Sequence, residues 1–138
     1  MEEMHLHLYT WTGPRADRRQ DHNPSSPGFA TSPLPCSRPS DWLAKPADRI
    51  SDTVSSLDEA LVWLAAQYGH AKPLFLREDR FSLRQRLRIA EETLRTDGDV
   101  HWGEYLTRDR YFIASAVRCP NTTSPRPCPL SQEGRSAA

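Results

Sequence analysis

Lysine is nearly missing from this sequence: Lys45 and Lys72 stand beside sixteen arginines. Net charge is missing too. Basic and acidic residues number 18 each, which argues against a protein that coats nucleic acid by bulk electrostatics. There is no run of 18 apolar residues, so no transmembrane helix is expected. Met1–His7 has neither a basic stretch nor a long apolar one, so no signal peptide is expected. The six glycines fall in no G-x-S-x-G, G-x-G-x-x-G or phosphate-binding loop, and no H-E-x-x-H occurs. The standard catalytic signatures are therefore absent, and no catalytic residue and no cofactor is expected. The three cysteines form no C-x-x-C pair at a zinc-finger spacing. An odd count without an export signal points to thiols in a reducing cytoplasm.

Apolar residues make up 37% of the 138 positions, below the 45–50% of an ordinary soluble domain on a slightly wider count. One evenly packed core through the whole chain is not expected. Proline marks the boundaries. Seven of twelve lie between Pro14 and Pro46 and four between Pro120 and Pro129, leaving only Pro73 between Ala47 and Cys119. Proline removes a backbone donor and restricts its predecessor, so both dense stretches resist helix and sheet. The expected organisation is a strand within 1–12, a disordered Pro-rich linker over 13–49, a small domain over 50–119 and a disordered tail over 120–138.

Periodicity fills in the domain. Leu57, Leu61, Leu64 and Tyr68 share one helical face after the capping-box pair Ser56 and Glu59, predicting a helix over 57–69 closed by Gly69. Trp63 lies off that stripe. Ser82 and Gln85 repeat the box, and Leu83, Leu87, Ala90 and Leu94 predict a second helix over 83–97 stopped by Gly98. Two aromatic and β-branched runs, 100–106 and 111–117, predict a hairpin around a four-residue polar loop, 107–110. The second arm, apolar on both faces, reads as a central strand. The fold class is α+β, two amphipathic helices on a small antiparallel sheet. The alternation of His5, His7, Tyr9 and Trp11 with Leu6 and Leu8 is that of a strand that could add to this sheet, but the long gap before the next element fits an unstructured leader equally well.

The chemistry-bearing residues are few. Trp63, Trp102, Tyr105 and Tyr111 give more aromatic surface than two helices need, and they are the expected interaction surface. Arg77, Arg80, Arg84, Arg86, Arg88 and Arg95 crowd the second helix. Arg84, Arg88 and Arg95 share a face that suits phosphates, although Glu91 and Glu92 border it and a solvated, salt-bridged face accounts for the same residues. The arginine bias itself follows from GC-rich codons as readily as from bidentate anion recognition. Glu104 reads as an edge carboxylate that discourages strand aggregation, not as a base paired with His101 or Tyr105, which share the opposite strand face. His5 and His7 point the same way on a strand, as a chelating pair does, but the reading adopted is a solvated edge, with His22, His70 and His101 scattered. A metal site would need ligands from distant segments, so Cys36, Cys119 and Cys128 are assigned none. The expected function is a non-enzymatic protein-interaction or self-associating module of a small bacterial cytoplasmic protein. Its partner would be a protein or a second copy, with no membrane. The alternative is a nucleic-acid-associated accessory protein using Arg84, Arg88 and Arg95.

Overall fold

The computed structural model describes residues 4–18, 24–78, 81–124 and 126–131. Arg80, His22 and the end of the expected tail lie outside them. Six elements form the frame: β1 (His5–Pro14), β2 (Asp52–Val54), α1 (Leu57–Ala71), α2 (Leu83–Arg95), β3 (Val100–Leu106) and β4 (Arg110–Cys119). The strands make one antiparallel sheet in the order β2-β1-β4-β3. β1 pairs with β4 along its whole length, from His5 opposite Cys119 to Pro14 opposite Arg110. It also pairs with β2. The N-terminal strand is therefore central, and the domain does not begin at residue 50.

The helices form where local chemistry puts them. The Ser56 hydroxyl accepts from the Glu59 amide at 3.2 Å. At Ser82 the box is reciprocal, with the Gln85 amide donating to the hydroxyl and the Ser82 amide donating to the Gln85 side chain. Each contact satisfies a donor that the first helical turn leaves without a partner. α1 runs through Gly69 to Ala71. A glycine stops a helix only where the chain turns left-handed, and here the turn that follows is a 3-10 turn at Lys72–Leu74. α2 ends at Arg95, and the left-handed residue beyond it is Asp97, not Gly98. Leu64, Tyr68, Ala90 and Leu94 bury the inner stripes against Leu6, Leu8, Trp102, Phe112, Ala114 and Ala116 of the sheet. Arg118 clamps this corner, with its guanidinium on the Leu94 carbonyl and its amide on Asp99. The hairpin connection is Thr107–Asp109, one residue shorter than expected. Arg108 and Asp109 carry consecutive positive φ values, 63° and 56°. Asp tolerates that conformation better than most residues.

The second sheet face holds the main correction. The stretch read as a linker is anchored on the sheet by buried residues, with exposed ones such as residues 25–28 beside them. Phe29, Cys36, Trp42 and Leu43 are buried with Tyr9 and Val117, and Trp42 stacks on Tyr9 with ring centroids 4.9 Å apart. Proline excludes regular hydrogen bonding but not packing, and 3-10 turns at Pro39–Ala44 and Ala47–Arg49 bring the anchors down. Side-chain cations hold the carbonyls that no ladder uses. Lys45 donates to the carbonyls of Phe29 at 2.9 Å and Ser32 at 3.1 Å, and Arg49 donates to those of Ser32 and Pro33. The expected tail is likewise attached at its start: Asn121 donates to Asp99 and to the Arg118 carbonyl. The sheet thus lies between a helical layer and an irregular Pro-rich layer.

Candidate functional site

Strand parity sorts the functional candidates. The helix-facing side of the sheet carries Leu6, Leu8, Ala114 and Ala116. The other side carries His5, His7, Tyr9, Trp11 and Gly13 of β1, with Tyr111, Ile113, Ser115, Val117 and Cys119 opposite them on β4. The Pro-rich layer covers the middle of that side. Its two ends are chemically distinct.

One end is aromatic and cationic. Tyr105 and Tyr111 are paired in register, with ring centroids 5.0 Å apart and edge-to-face geometry. Arg15 and Arg18 lie over Tyr105, each guanidinium 5.3 Å from the ring centroid, and Arg18 also reaches Tyr111 at 5.8 Å. The Arg15 amide donates to the Asp109 carbonyl at 2.7 Å, tying this turn to the hairpin loop. A Cβ on Gly103 would overlap the Tyr111 phenol, so glycine is what lets that ring lie across β3. The connector borders the same strand, because the Leu76 amide donates to the Tyr105 carbonyl and the Thr107 amide to the Leu74 carbonyl. Leu74 and Leu76 remain about half exposed.

Of the four aromatics expected on an interaction surface, Tyr105 is exposed and Tyr111 partly so, and the two pair on this end of the sheet. Trp102 is core at 8% exposure, and Trp63 is partly buried against the same cluster. Both rings serve packing with that cluster. The arginines of α2 also divide. Arg84, Arg88 and Arg95 are exposed, and Arg95 pairs with Glu91 at 2.6 Å. Arg86 turns inward, lies over Tyr68 and Trp102, and forms an ion pair with Glu104. Glu104 is therefore a paired, half-buried carboxylate and not an exposed edge charge.

At the other end of the same sheet face, four side chains from both ends of the chain converge. Nε2 of His5 is 3.1 Å from Nε2 of His7. The Cys128 Sγ is 3.4 Å from the His7 Nε2 and 3.6 Å from that of His5. With Cys119, these donor atoms all lie within 4.8 Å of one another. β1 supplies the histidines two residues apart, the β1–β4 register puts Cys119 opposite His5, and the segment after β4 returns Cys128. His7 is fully buried, and its Nδ1 is 2.9 Å from the Thr53 hydroxyl on β2. Burial, and then the neighbouring His5, holds the His7 imidazole down at about 4, so it is neutral at pH 7. Burial also pushes up the Tyr9 phenol beside this group, assisted by Cys119, Cys36 and Cys128, and burial lowers His101. None of the three cysteines is in a disulfide.

Each of these four residues stood out in the sequence, but their meeting did not. The readable signal was the H-x-H alternation on a strand; the register that sets a cysteine opposite it is a tertiary fact. A groove of about 620 Å³ opens beside the Pro-rich layer, lined mainly by prolines and alanines with Lys45 and Arg126. Among the described residues no helix is long and apolar enough to cross a membrane. The chain matches no protein-family model, no curated protein and no solved structure.

Proposed function

We propose that this chain is a non-enzymatic protein-interaction module of the cytoplasm, and that it docks an acidic protein segment on the Tyr105–Tyr111–Arg15–Arg18 end of the sheet. The observation that carries the reading is the pair of guanidinium groups over the exposed tyrosine. Interfaces draw on tyrosine and arginine because both offer large area and directional polar groups. Leu74 and Leu76 beside Tyr105 add apolar area. A guanidinium stacked on a ring keeps its N–H edge outward, which suits a carboxylate. It also occupies the ring face on which a nucleobase would stack, so this patch favours protein over single-stranded nucleic acid. The reducing compartment rests on three cysteines outside disulfides, the usual state of thiols there.

A second reading keeps nucleic acid as the partner on the exposed α2 face. Arg84 and Arg88 lie one turn apart there, while Arg95 is engaged by Glu91. The two readings separate in titrations of the full chain, followed by its tyrosine and tryptophan fluorescence. The docking reading expects poly-glutamate to bind, to weaken with salt, and to bind at least tenfold less tightly to the double variant Arg15→Ala, Arg18→Ala. Oligo(dT) binding that disappears in Arg84→Ala, Arg88→Ala would transfer the function to the helix face. If neither polymer binds and light scattering finds only monomer at micromolar concentration, both readings fail.

A further inference from the structure

We propose that His5, His7, Cys119 and Cys128 form a tetrahedral zinc site that fastens the two ends of the chain across the sheet. This inference stands apart from the docking surface, which lies at the opposite end of the same face.

Three of the six edges of the polyhedron are already in place. With Zn–N near 2.0–2.1 Å and Zn–S near 2.3 Å, tetrahedral geometry requires N···N edges of about 3.3–3.4 Å and N···S edges of about 3.5–3.6 Å. The three edges among His5 Nε2, His7 Nε2 and Cys128 Sγ are 3.1, 3.4 and 3.6 Å. Cys119 supplies the fourth corner from within the same 4.8 Å group. Hydrogen bonds account poorly for this triangle. An imidazole Nε2 offers one lone pair or one proton, never both, yet each Nε2 here makes two of the three contacts. One cation at the centre satisfies all of them at once.

The donor set selects the ion. Two imidazoles and two thiolates in a tetrahedron suit zinc, whereas oxygen-seeking magnesium and calcium are poorly served. Four protein ligands leave no open position, which marks a structural and not a hydrolytic centre. The surroundings fit as well. His7 and Cys119 are fully buried, and Thr53 holds the His7 ring by its far nitrogen. A His7 Nδ1–H donating to that hydroxyl turns the Nε2 lone pair toward the group, the outer-shell arrangement usual for metal-bound histidine. Cys128 is held in turn, with the Ser131 amide and hydroxyl both donating to its carbonyl. The ligands come from the first strand, the last strand and the segment beyond it, so the ion would close a loop of more than 120 residues.

The test uses the full chain purified without chelator. Elemental analysis should find one zinc per chain. Cobalt(II) added to the metal-free protein should give the visible bands of a tetrahedral ion and a near-ultraviolet thiolate-to-cobalt band, both saturating at one equivalent and removed by zinc. Cys128 lies outside the sheet, so Cys128→Ser should keep its far-ultraviolet circular dichroism while its thiolate band weakens to what Cys119 alone supplies and cobalt binds at least tenfold more weakly. Cobalt spectra unchanged in Cys128→Ser overturn the site. So does a folded wild-type chain that takes up less than one equivalent. A single titratable thiol in denaturant, with no metal, overturns it in favour of a Cys119–Cys128 disulfide.

Discussion

The two faces of this sheet are covered by opposite means. On one face, α1 and α2 bring Leu64, Tyr68, Ala90 and Leu94 down at helical spacing, and capping boxes fix where each helix begins. On the other, a Pro-rich segment with almost no regular structure brings down Phe29, Cys36, Trp42 and Leu43. Backbone hydrogen bonds hold the first cover. The second is held by lysine and arginine reaching its carbonyls and by a tyrosine–tryptophan stack. A low density of apolar residues therefore did not mean absence of a core. Four anchors spread over fifteen positions bury as completely as a helix stripe, because they pack with Tyr9 and Val117 of the sheet.

The largest effect should come from the strand both faces share. Removing residues 1–14 deletes the sheet partner of β2 and one of the two neighbours of β4 along its whole length, so the remaining chain should show no cooperative thermal transition. A sharp transition from that fragment would mean that the helical face can fold alone and that the comparison is between a domain and its decoration. Next come matched truncations of one anchor on each side. Leu64→Ala should cost about 2–5 kcal/mol and Trp42→Ala about 3–5 kcal/mol, the usual range for emptying a fully buried site. Both residues have no exposed surface. Urea unfolding measures the pair. If Trp42→Ala costs under about 1 kcal/mol while Leu64→Ala costs its full amount, the irregular cover is not part of the cooperative unit.

Chelation sharpens the comparison further. An ion that binds only the folded chain stabilises it by about 4 kcal/mol when free metal exceeds the dissociation constant a thousandfold. Removing it should lower the melting temperature and move the fluorescence of Trp42, while helical circular dichroism at low temperature stays close to that of the loaded protein. Equal loss of helix signal would place the ion under both faces and not one. The dependence on acidity follows from the ligands, since a thiol must lose its proton to bind as thiolate and an imidazole binds only in its neutral form. Affinity should therefore fall steadily as the pH is lowered.

What was legible in the sequence follows the same division. The helices, the hairpin and the central β4 were readable because periodicity and caps are local; the alternation of residues 5–11 was readable too, but not whether that segment joins the sheet. The Pro-rich layer was not, because nothing in Trp42 or Lys45 says which surface each will meet. The His–Cys group failed for a related reason. Zinc-finger spacing rules describe ligands gathered by one short loop, whereas His5 and Cys119 meet through strand register. The aromatic surface was half legible: a strand pattern separates two faces without saying that Trp102 packs under helices and Tyr111 does not.

The smallest effects test whether the two covers also differ in how completely they satisfy polar atoms. On the helical side, Ser82→Ala removes the hydroxyl that accepts from the Gln85 amide and should destabilise by about 1 kcal/mol. On the irregular side, the Tyr9 hydroxyl is buried with no hydrogen-bond partner among the described residues. A buried hydroxyl without a partner carries its desolvation cost with nothing in return. Tyr9→Phe should keep the stack on Trp42 while removing that cost, so its stability should equal or exceed wild type by up to about 1 kcal/mol. Both are read as midpoint shifts in urea at unchanged slope. A loss in Tyr9→Phe as large as that in Ser82→Ala would mean that the phenol is bonded after all, through ordered water. The irregular cover would then be as fully satisfied as the helical one, and the two faces would differ only in regularity.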